Sequence, residues 1–254
     1  MKTQLIAAAA AVAMLASAPV FAADAGFAIP AAKAQVQAGD GYSVKSFAFA
    51  PGTIKVITFD AAAPKPFALT DEAQFYVMSG AVSTDVGGAA VDLAAGDVAT
   101  RPTGTIRPKA GGAVVVAHKA RSAVPEPKPQ VLRGAEVQPG LAVQWRDADG
   151  KPMSASTEEA AKAAPAGAAR FMIRRYAFDG NSIRVVDLTK GGRTNPTDYK
   201  TNNIILITKG RMARNVGDQR VEVKAGDAIV EQSGTTGYWD ILEDSQFVST
   251  TAID

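Results

Sequence analysis

Two stretches of this chain are written twice. Phe47 to Phe59 aligns with Tyr176 to Leu188, each an aromatic-bearing strand, a turn with glycine and then an alternating strand. Residues 75–104 align with residues 204–234. Gly80 and Gly210 are each followed sixteen residues later by a Gly-Asp pair, Gly96-Asp97 and Gly226-Asp227, and Gly104 coincides with Gly234. A chain of 254 residues that repeats at an offset of about 130 builds the same unit twice, and each unit is long enough to be a domain.

Within each copy the apolar residues keep a period of two. Ile54, Val56 and Ile57 echo Ile183, Val185 and Val186, and Val91 and Leu93 echo Val221 and Val223. Short apolar runs separated by Gly, Asp, Asn and Pro predict an all-β sandwich or barrel. The repeated glycines are read as turn positions that need positive φ. Between the copies, Ser122 to Pro139 carries four prolines and reads as an extended surface strap. Leu141 to Trp145 predicts a strand, and the capping-box spacing of Ser156 and Glu159 predicts one short helix, stopped by Pro165 and Gly167. The expected division is 1–22, 23–121 (first copy), 122–169 (Pro-rich linker with strand and short helix) and 170–254 (second copy).

Residues 1–22 have the form of a secretory signal peptide. Lys2 precedes the apolar run Leu5 to Ala18, and Val20-Phe21-Ala22 offers small residues at the −3 and −1 positions. Cleavage is expected after Ala22, giving a periplasmic or secreted protein without a membrane anchor. The chain has no cysteine and one histidine, His118. That excludes disulfides, thiolate ligands and any site needing two imidazoles. Lys and Arg number 27 against 25 Asp and Glu, with no basic run, so no nucleic-acid partner is expected. His118 follows Val114 to Ala117 at a strand end and reads as a surface or rim residue. Asp147, Asp149 and Gly150 read as a polar turn, because Lys151 and Pro152 stand where a calcium loop needs an oxygen ligand and a glycine.

The run from Gly96 through Pro102 to Gly104, preceded by Phe75 to Gly80, resembles the cupin superfamily. Gly226 to Gly234 after Ile204 to Gly210 is similar, with Gln232 in place of the proline. The resemblance covers about residues 40–120 and 170–252. It implies a bicupin: two tandem double-stranded β-helix (jelly-roll) barrels with a short helix in the linker. It also implies where metal ligands would stand, namely two histidines and a glutamate ahead of the first turn glycine and a third histidine three residues after the last. Here residues 66–73 hold no histidine, Glu72 is one residue out of register and Ala73 takes the counted place. In the second copy Asn203 stands at the glutamate position, and the third-histidine positions are Arg107 and Gly237. Neither a metal nor another cofactor is expected.

The barrel mouths remain as places for chemistry. The first copy offers Asp71, Glu72, Gln74, Tyr76, Arg101 and Arg107; the second offers Tyr199, Asn202, Asn203, Arg214, Tyr238 and Asp240, with Trp239 beside them. Of these, Glu72, Tyr76, Arg101, Arg107, Tyr199, Asn203, Tyr238 and Asp240 are the candidate ligand-binding residues. The first copy carries Arg101 and Arg107 where the second carries Glu231 and Gly237. An anion is therefore expected in the first barrel, on the planar fork of Arg107. Two function classes stay open. One is a non-catalytic binding or accessory protein for a small polar or anionic ligand, sugar-like or carboxylate. The other is a metal-independent isomerase, epimerase or lyase acting on a sugar or sugar acid, with Glu72 and Tyr76, or Tyr199 and Asp240, as proton donor and acceptor. Neither pair is marked by spacing, so the binding class is favoured over catalysis, as a monomer or homodimer with a small-molecule partner. A structural or assembly role without a ligand is the third option.

Overall fold

The computed structural model describes residues 27–70, 73–120, 127–179 and 181–252. The expected signal peptide and Glu72 lie outside the described residues, as does Asp71. The architecture is all-β, two jelly-roll barrels packed face to face. In the second, a four-stranded outer sheet runs in the order Thr197–Asp198, Thr236–Ile241, Arg211–Val216, Gln219–Lys224. In the first, Gln74–Val86 and Pro102–Ala120 are long enough to run through both layers, and their outer halves pair with Ala89–Ala94 and Phe67–Ala68 in the same order.

The repeat extends to single hydrogen bonds. The Gly96 amide donates to the Val77 carbonyl at 2.8 Å, and the Gly226 amide donates to that of Ile207 at 2.8 Å. The Ala95 and Ala225 amides donate to the carbonyls of Gly80 and Gly210, each at 3.0 Å. A β-bulge falls between Val77 and Ser79 and again between Ile207 and Lys209. Gly80 and Gly210 follow these bulges at φ 71° and 75°, where a Cβ would meet backbone oxygen at 2.2 Å and 2.3 Å. Only glycine tolerates both demands.

Alternation along each strand sorts side chains between a barrel interior and the seam between barrels. The first interior is apolar, built on Ile57, Phe59, Phe75, Val82, Leu93 and Ile106. The second has an apolar floor including Val186, Ile205, Ile207, Met212, Ile229 and Ile241. At the seam, Phe47, Phe49, Ile54 and Val116 of the first copy pack with Tyr176, Phe178, Ile183, Ile204 and Val248 of the second. Each large apolar side chain so buried contributes about 1.5–3 kcal/mol.

The segments that precede the two copies cross over. Ala28–Ile29, ahead of the first copy, pairs with Ile229 and Ala228 in the sheet of the second. Gln130–Leu132, ahead of the second copy, pairs with Val98–Thr100 of the first. The repeated turn aspartates hold both arms. Asp227 accepts from the amides of Ala31 at 2.7 Å and Lys224 at 2.9 Å. Asp97 accepts from the amides of Gly134 at 2.9 Å and Ala94 at 3.0 Å, and from Arg133 at 2.7 Å. Burial raises the Asp97 pKa, but these donors outweigh it and hold the carboxyl below its ordinary value.

Part of the extended strap, Gln130–Leu132, forms an edge strand. The expected linker strand forms as Gly140–Arg146 and joins the second copy's large sheet beside Ala169–Phe178. One expectation changes: the helix, Glu158–Ala161, is capped not by Ser156 but by Thr157, whose hydroxyl accepts from the Ala160 amide at 3.2 Å. The Asp147 turn is polar as expected: its carboxylate accepts from the amides of Asp149 and Lys151 at 3.1 Å and 2.8 Å. Among the described residues no helix is long and apolar enough to cross a membrane.

Candidate functional site

The second barrel closes over a polar cluster at one end of its apolar floor. Asn203 and Glu231 are directly opposed across neighbouring strands, and Arg214 opposes Trp239. All four are buried, and alternation turns them towards the interior. Glu231 Oε1 accepts from Trp239 Nε1 at 2.8 Å, and Oε2 accepts from Asn203 Nδ2 at 3.3 Å. Burial and the Glu231 charge push the Tyr199 phenol strongly up, so it stays protonated. Arg184 donates to Asn203 Oδ1 at 3.2 Å and to Thr251 Oγ1 at 3.0 Å. Burial lowers the Arg184 pKa.

Arg214 is the unusual member. Its exposure is 0 %, yet Nε, Nη1 and Nη2 have no hydrogen-bond partner among the described residues. The guanidinium carbon lies 4.7 Å from the centroid of the Tyr199 ring and 5.5 Å from that of Trp239, so its charge is met by aromatic faces. Gly237 makes room for it: a Cβ there would stand 2.6 Å from Nη2 and 2.7 Å from Cζ. The guanidinium therefore occupies the space beside position 237, where the family resemblance places the third metal-ligating histidine. Among the described residues no three His, Asp or Glu side chains are grouped to hold a metal ion.

The other candidate residues are dispersed. Tyr76 faces the seam, not the first interior, because its strand turns Phe75 and Val77 inward; its ring lies 6.1 Å from that of Tyr176. Burial raises both phenols, that of Tyr176 to about 12. Arg107 is on the outer surface, 49 % exposed and 3.8 Å from Asp85, because its neighbour Ile106 takes the inward position. An anion on Arg107 inside the first barrel is thereby excluded. Arg101 is exposed in a turn at φ 46°, its amide bonded to the Ala73 carbonyl.

Tyr199 and Asn203 do lie within the second barrel, but the paired role of Tyr199 with Asp240 fails. Trp239 takes the inward place on Thr236–Ile241, which turns Tyr238 and Asp240 outward. Asp240 is held outside by Arg193 at 2.6 Å and by Arg220. Burial raises its pKa, but the two arginines lower it further, so it stays ionised. Tyr238 lies under the Arg193 guanidinium at 4.7 Å. His118 is not at the rim. It is 2 % exposed on the seam side of its strand, with Nδ1 2.9 Å from Gln74 Nε2, and burial lowers its pKa to about 3.

No described protein family matches the sequence, and no curated protein matches it. Solved structures do. Protein YlbA from E. coli superposes with a TM-score of 0.60 at 12% identity, over 88% of this chain and 89% of that one. AerE from Microcystis aeruginosa gives a TM-score of 0.63 at 11% identity, over 87% of this chain and 97% of that one. A variant of oxalate decarboxylase from Bacillus subtilis gives 0.59 at 11% identity, over 89% and 77% respectively. Likeness at such identities fixes the fold and leaves the chemistry to the residues.

Proposed function

This chain has the cupin fold, and within it we propose an exported, metal-free, non-catalytic bicupin that binds a small anion on Arg214 in its second barrel. The observation that carries the reading is a guanidinium with no exposure and no hydrogen-bonded nitrogen. Burying a charge without partners costs several kcal/mol, and an anion offsets that cost. A fixed cation at this place also opposes a metal dication. Glu231 accepts from Trp239 on one oxygen and from Asn203 on the other, so the barrel's own donors hold both oxygens. That favours binding over the isomerase, epimerase or lyase reading.

Arg214→Met is the test. Without added anion the variant is expected to be more stable than the parent, because an apolar side chain of similar length replaces a buried guanidinium that makes no hydrogen bond to lose. Small anions at fixed ionic strength should raise the melting temperature of the parent protein and not of the variant. Equal anion response in both proteins overturns the reading. Metal analysis of purified protein should find no stoichiometric iron, manganese, nickel or zinc; a tightly held equivalent sinks the metal-free claim. Mass spectrometry of the protein from its own cells should place the mature N-terminus at Ala23, and retained Met1 would remove export.

A further inference from the structure

We infer that the anion taken by the second barrel is a planar monocarboxylate, bound in the plane of the Arg214 guanidinium. The inference rests on the reading above and narrows it by shape and by charge.

Shape comes from what covers the guanidinium. The ring centroids of Tyr199 and Trp239 lie 4.7 Å and 5.5 Å from Cζ, and the Gly237 backbone is so close that a Cβ would be 2.7 Å from Cζ. The N–H bonds of a guanidinium lie in its own plane, so a ligand must approach edge-on, between these covering groups. A carboxylate has two oxygens in one plane at a spacing that matches the fork. A phosphate or sulfate can also present two oxygens to the fork, but it brings two further oxygens that must be housed and desolvated among these covering groups.

Charge comes from the barrel's own ionised groups. Among the described residues these are Arg214, Arg184 and Glu231, with Arg175 exposed beside Arg184. Glu231 offsets one of the two inner arginines, and Arg184 already donates to Asn203 and Thr251. One positive charge is left inside, on Arg214. A monoanion neutralises it; for the second charge of a dianion Arg184 offers one buried nitrogen without a partner, Nε, against three on Arg214. The apolar floor of Ile205, Ile207 and Met212 suits a small aliphatic remainder behind the carboxylate.

Trp239 supplies the readout. The chain has two tryptophans, so in a Trp145→Phe background the emission reports the Arg214 site alone. Formate and acetate, titrated at pH 7 and constant ionic strength, should shift this emission saturably, and sulfate and phosphate should not at tenfold higher concentration. Arg214→Met should weaken acetate at least tenfold, and Arg214→Lys, which keeps the charge but lacks the fork, should not restore it. If sulfate or phosphate binds as well as acetate and depends on Arg214, the inference falls and the anion-binding reading stands. Full restoration by lysine also overturns the inference. If no anion shifts the emission or the melting temperature, both fall.

Discussion

Glu231→Leu is expected to cost about 1–3 kcal/mol for each buried donor that it leaves without an acceptor. The loss has two sources. Trp239 Nε1 and Asn203 Nδ2 lose the carboxylate that now accepts from them. The two inner arginines, Arg184 and Arg214, also lose the one buried carboxylate that offsets part of their charge. Adding Arg214→Met to Glu231→Leu should recover a large part of the loss, because an apolar end to the barrel has no stranded cation. Urea unfolding of the parent, the two single variants and the double variant measures the coupling. Additivity within about 0.5 kcal/mol would show that the two charges do not sense each other.

The second large effect is on acid stability. His118 is buried and neutral, with a folded pKa of about 3 against an ordinary 6.5, and burial is the cause. The unfolded chain therefore takes up a proton between these values that the folded chain refuses. The stability involved is fully present above pH 6.5 and is lost as pH falls towards 3. Between pH 6.5 and 5 the loss should be about 2 kcal/mol, from a slope near 1.4 kcal/mol per pH unit. His118 is the only histidine, so no other side chain with an ordinary pKa titrates in that window. His118→Asn, which cannot titrate, should give a flat profile from pH 7 to 5. A parent profile already flat across that window would show that protonated His118 is accommodated in the folded seam.

The repeat was readable because its turns impose glycine. Gly80, Gly96, Gly210 and Gly226 all adopt positive φ, so the residues that make two copies visible are those the backbone cannot replace. The candidate site was readable only in part. Tyr199 and Asn203 follow from counting back from Gly210. Arg214 was one polar residue among several, because Arg211–Val216 alternates mixed faces: Met212 and Arg214 go inward, Arg211, Ala213 and Asn215 outward, and neither face is uniformly apolar. Thr236–Ile241 hides its face in the same way, with aromatics at both Tyr238 and Trp239. Arg107 was misplaced because counting from Gly104 cannot show the register shifts between Gln74–Val86 and Pro102–Ala120. His118 looked like a rim residue because its apolar run gives no sign of a second barrel packed over it.

The crossed arms bear on the order in which such a molecule can assemble. The edge at Ala228–Glu231 is covered by Ala28–Ile29, about two hundred residues earlier in the chain, so the first segment of the fold is completed by one of the last. Closing so long a loop is thermodynamically mild, since each doubling of length adds about 0.6 kcal/mol. Kinetically, such distant pairing comes late. Until it forms, the second barrel shows an open edge that the same arm of another molecule fits equally well. Refolding at high protein concentration thus provides a route to arm-swapped dimers, whereas dilution favours the closed monomer with both arms on their own barrels.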